Sequence, residues 1–420
     1  MNITDAALPE IAGTGGLAVL VGERIRGLGL WPFAILFAAV FFSSYWLVVT
    51  LVHTWWWQPP GLVTADGLPL GRDFVAFFSA ASLTLDGDAA GAYDHEAIRA
   101  SARQAIGVPV GFVPWFYPPY TLMFVAPLAL MPYLVAFALW VLVPLASLLA
   151  VIRRYAKSAW ASAAILIFPG TAQSVLAGQN GVLSALIIAG GLHNLERRPV
   201  LAGAILGTLS YKPHVAASVY AALLIGRYWR ALAAAIAVAV LLAAMSFAVL
   251  GLDPWLAFFR ESQVAKTFIK NGRLPWTLMS TVFAASRLAG LDLLIAYVLQ
   301  AVVACGALLA LFFVWKRGDI PLEARAAVLV AVIPLTTPYA YNYDLAIIGI
   351  ALLWLAREGL ETGFRRGEIA ALALAWVVPP VGSALAELSG VLVTPVVLIA
   401  LLGVLLCRLL RRVPDRARQT

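Results

Sequence analysis

The chain has 420 residues, of which 62% are apolar or aromatic and only 12% are Asp, Glu, Lys or Arg, against roughly 25% charged residues in an average soluble chain. With a mean hydropathy of +0.91, that balance excludes a soluble globular enzyme, a disordered chain, a coiled coil and a collagen. The formal net charge of +8 does not indicate a nucleic-acid partner, because the basic residues sort by membrane side.

An apolar chain without the short alternating segments of a barrel must cross a membrane as helices, since no lipid-facing backbone group can stay unpaired. The expected fold class is therefore an all-α, polytopic membrane protein. Residues 1–29 hold Gly, polar residues and scattered charge and read as an N-terminal cytoplasmic segment. The first apolar run, from Trp31 to near Val52, has no small-residue cleavage site and reads as an anchor rather than a cleaved signal. Residues 53–116 form a polar external loop far longer than an ordinary connection, and such loops tend to carry function. Within it, 73–85 and 95–106 have helical spacing and are expected as short juxtamembrane helices on the membrane surface.

The stretch 117–131 opens with Pro118-Pro119 and contains Pro127, which suits a half-membrane helix. Spans follow at 133–152, 159–176, 180–195, 199–211, 213–226, 229–251, 291–315, 322–338, 342–357, 367–385 and 390–410, twelve with the first. A second external loop occupies 252–275, followed by a half helix from Trp276 to Arg287. The last helices and a basic cytoplasmic tail make up 366–420. Cys305 and Cys407 both lie in apolar runs, so they build neither a disulfide framework nor a zinc site.

On this topology twenty of the 29 Lys and Arg fall on the side of both termini and nine on the other. The positive-inside rule then makes the termini cytoplasmic and turns both long loops to the periplasm or exterior of a plasma (inner) membrane.

The polar residues gather at the outer ends of helices. Asp73, beside Arg72 and before Phe74, Phe77 and Phe78, is either a first-turn residue favoured by the helix dipole or a partly desolvated general base. Lys212, between Tyr211 and Pro213, either snorkels to an interface or binds a phosphate. His214 donates to a phosphate or sugar, or is satisfied by a carbonyl. Arg273 and Lys270 serve a reacting phosphate or meet anionic head groups. Gln179 and Asn180, between Gly178 and Gly181, either end a helix or bind sugar hydroxyls. Trp115, Tyr339, Tyr341 and Tyr343 belong to an interfacial aromatic belt or form a platform for a pyranose, and Asp344 starts a helix or is a second functional carboxylate.

These blocks, in this order, resemble the integral-membrane glycosyltransferases of the C-type superfamily, and most closely family 87, the polyprenol-phosphate-mannose-dependent alpha-1,2-mannosyltransferases. The pieces are Asp73-Phe74 with Leu85-Asp86-Gly87-Asp88 and Tyr93-Asp94, then Tyr117-Pro118-Pro119 with Ala126-Pro127-Leu128, Gly178-Gln179-Asn180-Gly181, Lys212-Pro213-His214, and Pro338-Tyr339 leading to Tyr343-Asp344. The resemblance runs over about residues 30 to 360, and 30–365 is read as the glycosyltransferase module. The family more often has Lys-Pro-Gln where this chain has Lys-Pro-His.

The resemblance implies a C-type fold whose long first external loop holds the catalytic Asp, here Asp73. It implies inverting transfer of a hexose, by default mannose, from a polyprenyl monophosphate to the hydroxyl of a glycolipid or polysaccharide acceptor in the membrane. Lys212, His214 and Arg273 would hold the donor phosphate; Tyr117, Gln179, Asn180, Tyr341 and Asp344 would position sugar and acceptor. No cofactor beyond the lipid-linked donor is implied, and no ligand cluster calls for a metal. The alternative is a secondary transporter or flippase, which should carry broken helices and charges near the bilayer midplane rather than polar groups at one face.

Overall fold

A computed structural model describes residues 31–55, 61–64, 66–156 and 158–410. The segment 1–29, Lys157 and the basic tail beyond residue 410 lie outside the described residues. Among the described residues the protein is all-helical, with two isolated antiparallel bridges, Val63 with Pro69 and Met279 with Tyr341.

Helix α1 covers Trp31–Trp55. The first long loop then holds α2, Phe74–Leu85, and α3, His95–Ile106. Next come α4, Tyr120–Val125, continued by 3-10 turns over Ala126–Leu130, then α5, Tyr133–Ala156, α6, Ala159–Ile167, and α7, Pro169–Leu176. They are followed by α8, Gly181–Asn194, α9, Pro199–Gly207, α10, Pro213–Ile225, and α11, Trp229–Leu250. The second loop carries α12, Asp253–Lys270, and α13, Val282–Leu288. The chain ends with α14, Leu293–Trp315, α15, Leu322–Val332, α16, Ile348–Thr362, α17, Glu368–Ser389, and α18, Thr394–Leu410.

Each of the twelve apolar runs is helical, but they are not equivalent. Helices α5, α11, α14 and α17 are long and apolar enough to cross a membrane, and α6 with α7 is so only as a pair, bent by 54° between them. The bend falls where Pro169 opens α7, because a residue before proline is driven out of the helical region and Phe168 is extended. Helices α8, α10 and α15 have 14, 13 and 11 residues, so at ~1.5 Å per residue none reaches across a ~30 Å hydrocarbon core alone. They are held inside the protein instead. Helix α15 is buried continuously from Ala324 to Val332, as expected of a helix apolar on every side, whereas α11 exposes Val240, Leu241, Met245 and Phe247.

Two features differ from the expectation. Helix α2 does not lie free on a surface: Phe74 and Phe77 are buried, and their rings pack on Tyr133, Phe137 and Trp140 of α5. Its amphipathic neighbour α3 covers it with Ile98, Ala102 and Ile106. Secondly, most of the expected open loop 252–275 is the 18-residue helix α12. Pro254 in its first turn and Asp253 at its positive end are ordinary start signals. Helix α12 meets the first loop where His95 Nε2 lies 3.0 Å from Glu261 Oε1 and Tyr93 packs edge-on against Phe258.

Candidate active site

Four segments distant in the chain converge: the Gly71–Phe74 turn, Tyr117, the Gly178–Gly181 turn between α7 and α8, and the loop before α16 with Lys212 facing it. Steric fit at two glycines makes the convergence possible. At Gly178, with φ +61°, a Cβ would stand 2.2 Å from the Gly71 carbonyl oxygen and 2.6 Å from Phe74 Cβ. A Cβ at Gly181 would stand 1.9 Å from the carbonyl oxygen of Tyr343. One end of this turn therefore lies against the Asp73 segment and the other against the Asp344 segment.

Hydrogen bonds fix the turn. The Asp73 N–H donates to the Ala177 carbonyl at 3.1 Å and the Trp140 indole to the Gly178 carbonyl at 3.0 Å. The buried Ser174 hydroxyl donates to the Gln179 carbonyl and accepts from the Val182 N–H, at 3.2 and 3.1 Å. The Gln179 side chain is thereby aimed at Asp73, and its Nε2 donates to Asp73 Oδ2 at 2.8 Å. On its other side Gln179 Oε1 accepts from the Tyr117 hydroxyl at 3.2 Å. Asp73 is reachable by solvent, yet the protein around it removes enough water to push its pKa upward. The Gln179 bond and the Arg72 charge oppose that shift without cancelling it.

Beyond Asn180 lies a second carboxylate. Asp344 forms a buried ion pair with Lys212, which stands 5.4 Å from the centre of the Tyr343 ring. The other Asp344 oxygen accepts from the Tyr341 N–H at 3.1 Å, and the Tyr341 and Tyr343 rings stack at 5.3 Å. Tyr117, Tyr341 and Tyr343 lie within electrostatic reach of both Asp73 and Asp344, so the two carboxylates share one aromatic surround. Asn180 is 2% exposed and its Oδ1 accepts no hydrogen bond. The Tyr211 hydroxyl, which shares a 2.7 Å hydrogen bond with Ser184, donates to the Asn180 carbonyl at 3.3 Å. The His214 Nε2, one residue past Pro213 and within reach of the Lys212 and Asp344 charges, is buried without a partner.

Of the nine residues singled out from the sequence, the structure brings together Asp73, Tyr117, Gln179, Asn180, Lys212, His214, Tyr341 and Asp344. Arg273 stands apart: it is exposed, its guanidinium 5.4 Å from the Phe268 ring centre, and only its neighbour Leu274 packs in the cluster that includes Tyr341. Trp140 and Ser174 were missed, because nothing local marks an indole or hydroxyl that serves another segment's carbonyl. Among the described residues no group of three or more His, Cys, Asp or Glu is arranged to hold a metal ion.

The arrangement offers an acceptor-ready carboxylate, a buried cation and hydrogen-bonding groups between them, which suits proton abstraction beside a developing negative charge. The sequence model of glycosyltransferase family 87 matches residues 115–338, more than half of the chain. That stretch includes Tyr117, Gln179, Asn180, Lys212, His214 and Arg273, while Asp73, Tyr341 and Asp344 flank it. No curated protein and no solved structure matches the chain.

Proposed function

The chain belongs to glycosyltransferase family 87, and from that premise we propose that it moves a hexose, mannose first, from a polyprenyl monophosphate to an acceptor hydroxyl on the external face of the plasma membrane. The acceptor is a glycolipid or polysaccharide. The observation that carries this reading is the Gly178–Gly181 turn, which packs against both the Asp73 segment and the Asp344–Lys212 segment. The proposed base and the proposed phosphate-binding cation then belong to segments packed on the two ends of one turn.

In the proposed step the acceptor oxygen attacks the anomeric carbon from the face opposite the phosphate. Its proton passes to the Asp73 carboxylate, the bond from the anomeric carbon to the phosphate oxygen breaks, and polyprenyl phosphate leaves. Attack opposite the leaving group inverts the centre, so a β-linked donor gives an α-linked product. General-base assistance of this kind is worth ~10²–10⁴-fold. Lys212 stabilises charge on the departing phosphate, where a poorly hydrated cation acts strongly, and His214 with its free Nε2 adds a hydrogen bond. Asn180, Tyr341 and Asp344 border the sugar.

The test is transfer by purified full-length protein in lipid nanodiscs, wild type beside Asp73→Asn, with radiolabelled polyprenyl-phosphate sugars and an envelope-lipid extract as acceptor. Transfer from one donor, lost by ~10²-fold or more in the variant at unchanged thermal stability, is the expected result. A variant that transfers as well as wild type removes Asp73 from the mechanism.

A further inference from the structure

The sequence places Tyr117 and Gln179 among sugar-binding residues, but their hydrogen bonds give them another task. We propose that Tyr117 and Gln179 are positioning residues that hold Asp73 as a proton acceptor: the Tyr117 hydroxyl fixes the amide of Gln179, which then presents only N–H to the carboxylate. The inference rests on the reading of Asp73 as the base and names what keeps that base in its working form.

A carboxamide has one accepting and one donating end. Gln179 Oε1 is occupied by the Tyr117 hydroxyl at 3.2 Å, so Nε2 faces Asp73 Oδ2 at 2.8 Å. An N–H on Oδ2 keeps a proton off that oxygen, and it binds a carboxylate oxygen more strongly than the carbonyl oxygen of the neutral acid. The amide therefore favours the ionised carboxylate and leaves Oδ1, which accepts no hydrogen bond from the described residues, for the incoming hydroxyl. A lone glutamine would be free to turn its amide over, and the Tyr117 bond is what biases it. Tyr117 is itself fixed: its carbonyl accepts from the Tyr93 hydroxyl at 2.7 Å, and its ring packs on Phe77 and Trp115. The Gln179 backbone is pinned by the Ser174 hydroxyl. Desolvation works against ionisation of Asp73, with Arg72 as the nearby charge that helps and the Tyr341 and Tyr343 phenols facing it across the site. The relay is placed to offset that desolvation.

The experiment reads the protonation of Asp73 without turnover. A protonated carboxyl group adds to dicyclohexylcarbodiimide, its proton going to nitrogen and its oxygen to the central carbon, and the adduct rearranges to a stable N-acylurea. Peptide mass spectrometry of Asp73 labelling against pH therefore gives the midpoint of its titration in full-length protein in nanodiscs. Gln179→Leu should raise that midpoint by about one pH unit, the size expected for losing one hydrogen bond to a charged group. Gln179→Glu, of the same shape, should raise it further by placing a like charge there. Tyr117→Phe should move it in the same direction by less, and Tyr117→Phe with Gln179→Leu should move it no further than Gln179→Leu alone, because Tyr117 acts through the amide.

An unmoved midpoint in both Gln179 variants overturns the proposal, and so do additive shifts in the double variant. A raised KM for the polyprenyl-phosphate sugar with an unmoved midpoint would return both residues to sugar binding. The failure of the underlying reading looks different: Asp73→Asn then transfers normally, while the labelling curves still report on the relay.

Discussion

Two buried ion pairs stand at opposite ends of α16 and are not alike. Asp344 lies four residues before its start, paired with Lys212 at 8% and 4% side-chain exposure. At its other end Arg408 of α18 pairs with Glu368 of α17, at 1% and 3% exposure. Burial and charge cannot separate the two; the way the cations are satisfied does. Arg408 also donates to the Glu358 carbonyl at 2.9 Å, the Gly363 carbonyl at 3.2 Å and the Thr362 hydroxyl, and the Glu368 carboxylate takes a further bond from the Arg365 N–H at 2.8 Å. That knot ties the ends of three helices together. Lys212 has one carboxylate and the Tyr343 ring, with the unpartnered His214 Nε2 within reach of its charge. A cation whose terminal nitrogens are tied to several protein groups on three helices holds structure even with its Nε unpartnered, whereas a cation with one protein carboxylate beside an open hydrogen-bonding group is prepared for a ligand.

Paired substitutions break that comparison if it is wrong. Lys212→Met or Arg408→Met alone strands a buried carboxylate and should lower stability by about 3–5 kcal/mol, read from chemical or thermal unfolding in detergent. Replacing the carboxylates too removes the stranded charge and should recover most of that loss: Asp344→Leu for Lys212, and for Arg408 Glu368→Leu with Glu358→Gln, since its guanidinium also lies 3.8 Å from the Glu358 carboxylate. Transfer should return with the fold in Arg408→Met with Glu368→Leu and Glu358→Gln. It should stay abolished in Lys212→Met with Asp344→Leu, whose stability has recovered. Transfer by that double variant would make the Lys212 pair as structural as the Arg408 one.

A smaller effect concerns pH. Only ionised Asp73 accepts a proton, and its pKa is raised from the ordinary aspartate value because desolvation outweighs the Gln179 bond and the Arg72 charge. The rate of transfer should therefore fall on the acid side at a higher pH than an unperturbed aspartate would give, and stay level above that limb. Arg72→Gln removes a favourable charge and should move the limb upward, checked by kcat against pH. A downward movement would mean that another group sets the limb.

How much of this could be read from the sequence follows from how far each cause reaches along the chain. The helices were legible because apolar run length is a local property, and α3 even shows its N-cap: Asp94 accepts from the Glu96 and Ala97 N–H groups at 2.9 and 2.8 Å. In sequence α12 reads as an external loop because Arg260, Glu261 and Lys266 break its apolar run, and of the three only Glu261 is buried in the structure. Asp73, Lys212 and Asp344 stood out because charge is costly in an apolar chain. Their partnerships did not, since Gln179 reaches Asp73 across 106 residues and Lys212 reaches Asp344 across 132. The glycines of the 178–181 turn looked like ordinary helix punctuation, while their structural role is to let two distant segments approach within a methyl group's width.

His214 gives the smallest effect and the finest distinction. It sits beside Lys212, where the chain departs from the Lys-Pro-Gln that its resemblance would favour, and its Nε2 has no partner. Were it to act as a charged group on the phosphate, replacing it with a neutral amide would remove a charge from the transition state, at a cost of ~10²-fold or more. Were it to supply one neutral hydrogen bond, His214→Gln would keep a donor at similar reach and put at risk only the ~0.5–1.5 kcal/mol that such a bond contributes. The burial of His214 favours the second role, because a charged imidazolium is disfavoured out of water, while the Asp344 and Lys212 charges beside it act in opposite directions. His214→Gln should accordingly retain transfer within about tenfold of wild type, with the change in KM for the donor rather than in kcat. His214→Ala should be worse than His214→Gln, since it removes the donor as well as the ring, whereas an imidazolium role would leave both variants ~10²-fold or more below wild type.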